Sequence, residues 1–175
     1  SPNNDRFRTD PIVEPTMLMG YAELQQILAE AVVRGWINGN AQTYYENGIR
    51  ASFSFYETHA KAYASYLNAD AVNRYLQEPL VAFGKAANVD EQIERIIMQK
   101  YLVTFYQGNW DSFYEQLRTG YPDFRRPAGT EIPKRWMYPQ GEYDNNGANV
   151  EAAIMRQFGT GNDKINQTTW WQKKD

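Results

Sequence analysis

The single histidine, His59, sets the first limit on the chemistry this chain can perform. A Ser-His-Asp triad or an imidazole metal cluster would rest on it alone. It stands in YETHAKAY, a polar helical stretch in which a solvated or packing role accounts for it. Glu142 and Asp144 have the residue types of a glycosidase pair. They lie two apart in a segment rich in Gly and Asn, which does not hold two carboxyls across a bond. Asp90, Glu91 and Glu94 read as helix-start electrostatics. GTGNDK, residues 159–164, lacks the P-loop spacing and the following Ser or Thr. Asn166-Gln167-Thr168 matches a glycosylation sequon in form only. The chain therefore reads as non-catalytic, with no cofactor and no metal.

Aromatic residues offer the other chemistry. Thirteen Tyr, eight Phe and five Trp make up 15% of the chain, an excess that suits either helix packing or a sugar- or peptide-binding surface. Most have a place in a helix stripe. Trp136 and Tyr143 have none, which makes them the candidate glycan-binding residues. A flat ring can cover the apolar C–H face of a pyranose, while Asn145, Asn146 or Glu142 nearby could meet the hydroxyls.

The elements that would position these residues are mostly helical. Residues 1–16 read as an extended lead, because Pro2, Pro11 and Pro15 interrupt regular structure. The spacing predicts a helix over 17–34 with Tyr21, Leu24, Leu28 and Ala31 on its inner face and Gly35 at its end. Asn40 should cap a second helix over 40–56, with Tyr45, Ile49, Phe53 and Tyr56 turned inward. Small Ala22, Ala29 and Ala31 permit close approach, so the two form a tetratricopeptide-like hairpin. A further helix is expected over 90–107, capped by Asp90, with YLVTFY buried on several sides. In GNWDSFYEQLRTGYPDF, Asn109 is the expected cap of a helix over 109–119. Its Trp110, Phe113, Tyr114 and Leu117 follow a buried stripe, and Gly120 should supply the left-handed residue that stops it.

Beyond Gly120 the pattern changes. Pro122, Pro127, Pro133 and Pro139 with Gly129, Gly141 and Gly147 give an irregular arm over 121–148. Asn149 should cap a short helix over 150–158, and a tail follows whose adjacent Trp170 and Trp171 imply docking, with at least one well buried. No segment alternates like a strand. The fold class is mainly α: tetratricopeptide-like helical hairpins with a long irregular C-terminal arm.

Composition bounds the rest. At 175 residues with 42% apolar content the chain is one domain or a large piece of one. Its 18 basic and 21 acidic residues give a net charge of −3, which offers no case for nucleic acid or an anionic membrane surface. Cysteine is absent, which removes disulfides, zinc fingers and thiol catalysis. No apolar run approaches the ~20 residues of a membrane-spanning helix. The opening SPNNDRFRTDP is polar and turn-rich, unlike a signal peptide, although one could have been removed with sequence before Ser1.

Five segments in order carry a family resemblance: YAELQQILAEAVVRGW, YYENGIRASFSFY, IIMQKYLVTFYQGNWDSFYEQLRTGYPDF, IPKRWMYPQGEYDNNGAN and the Trp-Trp tail. Together they resemble the C-terminal part of the SusD/RagB family over about residues 16–172. Two positions depart from the usual pattern: Gln26 replaces an aromatic or apolar residue, and Trp136 replaces an aliphatic one. The resemblance implies that residues 17–175 are the C-terminal portion of a SusD-like α-helical domain, in which the IPKRWMYP arm returns across the helices. Arg135, a fork-shaped donor, suits helix-end carbonyls or a carboxylate there.

The resemblance also implies a function: a non-catalytic nutrient-binding component, taking a glycan or oligosaccharide and sometimes a peptide. It would sit on the cell surface at the outer membrane of Bacteroidetes and act with a SusC-like TonB-dependent transporter. A lipid anchor would hold the full-length protein, and the cysteine that carries it is absent from this chain. Family members are usually far longer, so the chain is expected to be a C-terminal fragment. The other open reading is a helical protein-interaction scaffold with no ligand site of its own.

Overall fold

The computed structural model describes residue 15 and residues 17–173. The lead expected over 1–16 lies outside the described residues, Pro15 apart. Among the described residues every regular element is helical. The chain divides into two compact units, Ser1–Pro122 and Asp123–Asp175.

In the first unit, α1 (Tyr21–Val33) starts later than its periodicity suggests, because Gly20 is extended and acts as the N-cap. α2 (Ala41–His59) opens as expected, with the Asn40 side chain accepting from the Thr43 N–H at 3.0 Å. A Cβ at Gly39 would sit 3.1 Å from Val32, and one at Gly48 would sit 3.0 Å from the Ala22 carbonyl. One index rises as the other falls, so the two helices are antiparallel. Their close approach is made by Gly48 on α2 as much as by the small residues of α1.

The inner face of α1 differs from its apolar stripe. Tyr21 and Leu24 are exposed, and the buried residues are Gln25, Gln26, Ala29 and Glu30. Two polar partnerships explain the rotation. The fully buried Gln26 donates from Nε2 to the Tyr45 carbonyl at 3.1 Å, and Glu30 is gripped by two arginines. Tyr45 itself is fully buried among Ala29, Ile49, Ile96 and Phe83, and its hydroxyl donates to the Val81 carbonyl at 2.8 Å. Burial pushes that hydroxyl far above the usual tyrosine range.

A 3-10 helix (Lys61–Tyr66), α3 (Ala69–Tyr75) and a second 3-10 turn (Phe83–Lys85) lead to α4 (Val89–Val103). Asn88, not Asp90, caps α4: its side chain accepts from the Glu91 N–H, and Glu91 reaches back to the Ala87 N–H, both at 2.9 Å. α4 stops four residues before the expected 107. Thr104 closes its last turn by donating to the Lys100 carbonyl, and Tyr106 is left-handed at φ 63°. Val103 is buried, but Leu102, Phe105 and Tyr106 are exposed, so YLVTFY is not covered on all sides.

α5 (Asp111–Thr119) also begins late. Asn109 is left-handed at φ 45° and is not the cap; Trp110, at φ −92° and ψ 3°, holds the N-cap position without a side-chain cap bond. Gly120 ends the helix at φ 89°, as expected. No residue of α5 is buried, and Trp110 and Tyr114 are exposed. The aromatic stripe is present but is not sunk into a core.

In the second unit, residues 123–139 are irregular as expected, but α6 (Gln140–Phe158) starts ten residues before the expected 150. Gly141, Asn145, Asn146 and Gly147 are poor helix formers and hid its first half. The helix breaks at Asn146 (φ −146°, ψ 27°), where Asn149 donates to the Asn146 side chain at 2.7 Å instead of capping. Val150 and Ile154 supply its buried face.

The tail ends in a 3-10 turn (Trp170–Gln172) closed by a reciprocal Thr169–Gln172 cap. Trp170 is 79% and Trp171 44% exposed, so neither is the buried anchor expected of them. The tail is held by polar bonds instead: Gln172 donates to the Lys134 carbonyl at 2.8 Å, and Lys134 Nζ to Thr168 at 3.1 Å.

Candidate functional site

The arm motif IPKRWMYP is built around one carboxylate, Asp163. Arg135 donates to its Oδ1 at 2.5 Å, while the Tyr138 N–H at 3.0 Å and the Tyr143 hydroxyl at 2.7 Å both donate to its Oδ2. Arg135 also donates to the Lys164 carbonyl at 3.3 Å and lies 4.6 Å over the Phe158 ring. The backbone N–H groups of Lys134 and Arg135 both donate to the Ile165 carbonyl. Burial pushes the Asp163 carboxyl up, but Tyr143, Arg135 and the Tyr138 N–H outweigh it and leave its pKa low. Of the partners expected for Arg135 the carboxylate is present, while the carbonyl it meets, that of Lys164, lies in the loop after α6 and not at a helix end.

This geometry treats the two candidate glycan residues differently. Trp136 lies in the clasped irregular segment at 50% exposure, with backbone bonds at Arg135 and Tyr138 on either side of it. Tyr143 is on the first turns of α6, not on an irregular arm, and its hydroxyl is committed to Asp163, which pushes its pKa up. Glu142, Asn145 and Asn146 are exposed on the same helix half, with Asn145 donating to the Gly141 carbonyl. Asp144 accepts from Gln140 at 2.9 Å. His59 sits at the end of α2, its ring 4.5 Å from Phe55. Among the described residues no three His, Cys, Asp or Glu side chains are placed to hold a metal ion.

The first unit carries a charged chain that joins α1, α4 and α5. Arg34 donates to Glu30 at 2.6 Å, and Glu30 accepts two bonds from Arg118. Arg118 continues to Glu115 through its Nε at 3.1 Å. Glu115 then accepts from Lys100 at 2.7 Å, and Lys100 lies 3.9 Å from Glu23. Burial raises the Glu30 pKa, yet the two arginines more than reverse this and hold it low. Glu23 goes the other way. Burial raises it, Lys100 opposes that, and Asp111 and Glu115 add to the rise.

Beside Glu23 lies a cleft of about 110 Å³ whose polar lining includes Thr104, Gln107, Asn109 and Asp111. Gln107 accepts the Met17 N–H there at 3.0 Å. The sequence signalled neither this cleft nor the charged chain, because their members are spread from α1 to α5. Among the described residues no helix is long and apolar enough to cross a membrane.

Residues 1–139 match the family model SusD-like_2, described as starch-binding associating with outer membrane. A SusD homologue from Bacteroides fragilis is 87% identical over 98% of this chain, with a TM-score of 0.92. A Bacteroides vulgatus outer-membrane protein described as a candidate for nutrient binding is 55% identical over 96%, with a TM-score of 0.89. A chitin-binding protein is 28% identical over 89%, with a TM-score of 0.67. The chain spans 38%, 37% and 33% of the lengths of these three structures. Comparison with curated proteins finds no significant match. The helical hairpins, the Asp163-clasped arm and these similarities lead to one conclusion: the chain belongs to the SusD-like family of starch-binding-associated outer-membrane proteins.

Proposed function

We propose that this chain is part of a non-catalytic, surface-exposed nutrient-binding protein that takes a glycan or oligosaccharide. It would act with a SusC-like TonB-dependent transporter and be held at the outer membrane by a lipid anchor in the full-length protein. The observation that carries this reading is the family match over residues 1–139, together with 87% identity to a SusD homologue. The chitin-binding relative supports a polysaccharide ligand, and maltohexaose and chitohexaose are the natural first probes.

Within the arm, Trp136 is the proposed stacking surface. Its backbone is fixed by the clasp, so little order is lost when its ring meets a pyranose. Tyr143 contributes its ring edge while its hydroxyl stays on Asp163. The second reading, an interaction scaffold, draws on the exposed Leu18 and Met19 just before α1 and Tyr21 and Leu24 in its first turn. A glycan array separates the two. Retention of at least one oligosaccharide, weakened by Trp136→Ala, supports the nutrient-binding reading. An empty array, with a transporter still co-purifying from solubilised membranes, supports the scaffold.

A further inference from the structure

We propose that the outer face of α1 is an internal docking surface, covered in the full-length protein by a helix from the portion that lies outside these 175 residues. This rests on the chain being part of a longer protein, as proposed above, and is independent of the ligand which that protein takes.

α1 is turned inside out. Taken at about 100° per residue, Tyr21, Leu24, Ile27, Leu28, Ala31 and Val32 fall within one arc of about 140°. None of the six is buried, and Tyr21 is 61% and Leu24 40% exposed. The opposite arc carries every carboxylate and amide side chain of the helix, Glu23, Gln25, Gln26 and Glu30. A surface helix of a globular protein has the reverse arrangement, with its apolar stripe inward and its polar side chains in water. Here Gln25, Gln26 and Glu30 are buried, and Ala29 on the same arc joins Tyr45 of α2 and Ile96 of α4 in the core. The polar arc is thus already used within this unit, while Tyr21 and Leu24 of the apolar arc stay open to water among the described residues.

The chemistry of the arc narrows what can cover it. It holds no charge and no amide, so a hydroxyl-rich ligand would leave its own polar groups unpaired there. A helix that lies on a membrane carries Lys and Arg on its polar face. The polar arc of α1 has neither and is not free to face water. Apolar side chains spaced three and four apart form the ridges against which another helix packs. Leu18 and Met19, just before α1, are 97% and 69% exposed and add uncovered apolar side chains next to it in the chain.

Chain length points to where that helix comes from. These residues span 38% of a structure to which they are 87% identical and 37% of another at 55%, so more than half of each relative lies outside the matched region. Every regular element among the described residues is helical, and α4 packs on the α1–α2 hairpin from the side of the buried arc. Helical hairpins stacked in this way bury their second face against the next unit of the same chain. Such a cover is permanent, which suits a face that has no polar groups to meet water when it is uncovered.

The test uses the full-length protein with the photo-crosslinking residue benzoylphenylalanine in place of Tyr21, and separately of Leu24. After irradiation the product is sized on a denaturing gel, and its joined peptides are identified by mass spectrometry. The expected product has the mass of a single chain and joins the face to a segment outside these 175 residues. A product of doubled mass, one that joins the face to another protein such as the transporter, one that joins it to residues 123–173, or no product at either position overturns the inference. Thermal melting of full-length Leu24→Glu is an independent check, since a carboxylate under the cover would lose its water. Its Tm should fall by several degrees, whereas a Tm within about 1 °C of wild type would show the face to be open and overturn the inference. An empty glycan array together with the expected crosslink would sink the ligand reading and leave this one standing.

Discussion

Arg118 of α5 grips Glu30 of α1 with both ends of its guanidinium, Nη1 to Oε1 at 2.5 Å and Nη2 to Oε2 at 2.8 Å. The two residues are 88 apart in sequence. Since α5 buries none of its own residues, this pair and the Lys100–Glu115 bond hold the helix where burial does not. Removing one partner of a buried pair costs about 3–5 kcal/mol. Arg118 is partly open to solvent and Arg34 remains on Glu30, so Arg118→Ala should cost about 2 kcal/mol in chemical denaturation. Arg118→Lys should recover only part of this, because an ammonium cannot make the parallel pair of bonds. A loss within about 0.5 kcal/mol of zero, the range of an ordinary surface change, would show that α5 is held otherwise.

The charged chain gives stability an opposed pH dependence at two of its glutamates. Glu30 titrates below the usual 4.5, so its contribution is complete above that value and is lost as pH falls through its lower folded value. Glu23 titrates above 4.5, so it destabilises the fold at neutral pH, and acid relieves this as it becomes protonated. Glu23→Gln should therefore raise Tm at about pH 7, with the margin shrinking toward about pH 4, whereas Glu30→Gln should lower Tm at neutral pH. Thermal melts across this range check both signs, and a lower Tm for Glu23→Gln at neutral pH would contradict the account.

Two glycines in helices should respond oppositely to alanine. At Gly48 a Cβ would come within 2.3 Å of Gln26 Nε2, and Gln26 is fully buried and tied to Tyr45, so it has no free path away. Gly48→Ala should cost about 1–3 kcal/mol through overpacking. At Gly141 nothing lies within 4 Å of the added Cβ. Gly141→Ala should gain up to about 1 kcal/mol from helix propensity. Equal effects at the two sites would mean that the α1–α2 contact is looser than described.

The arm should open when its carboxylate is changed. Asp163→Ala removes the acceptor shared by Arg135, the Tyr138 N–H and the Tyr143 hydroxyl. Trypsin should then cut at Arg135 much faster than in wild type. Trp170→Ala should leave that rate unchanged, since the tail is held through Gln172 and Lys134. The reverse ranking would restore the tryptophans as the anchor.

The parts of the fold visible in the sequence are those fixed by local chemistry. Asn40 capped α2 and Gly120 stopped α5 because caps and left-handed residues act within one turn of the chain. Tyr45 and Ile49 faced inward because apolar spacing on α2 agrees with its packing. Where local and distant preferences disagree, distance wins. α1 turned its Leu24 outward because Gln26 and Glu30 have partners 19 and 88 residues away, which no periodicity reports. The first half of α6 was hidden by weak helix formers. Trp136 was singled out for lack of a helical role and is half exposed, but the Asp163 clasp that fixes it spans the arm and the loop after α6.

The central claim, a SusD-like chain that binds glycan, is tested most directly by depletion on insoluble polysaccharide. The protein is mixed with granular starch or chitin, spun, and measured in the supernatant. The account predicts saturable loss to at least one solid, reversed by the matching soluble hexaose. Full recovery in the supernatant from both solids, with the protein folded by circular dichroism, would contradict it.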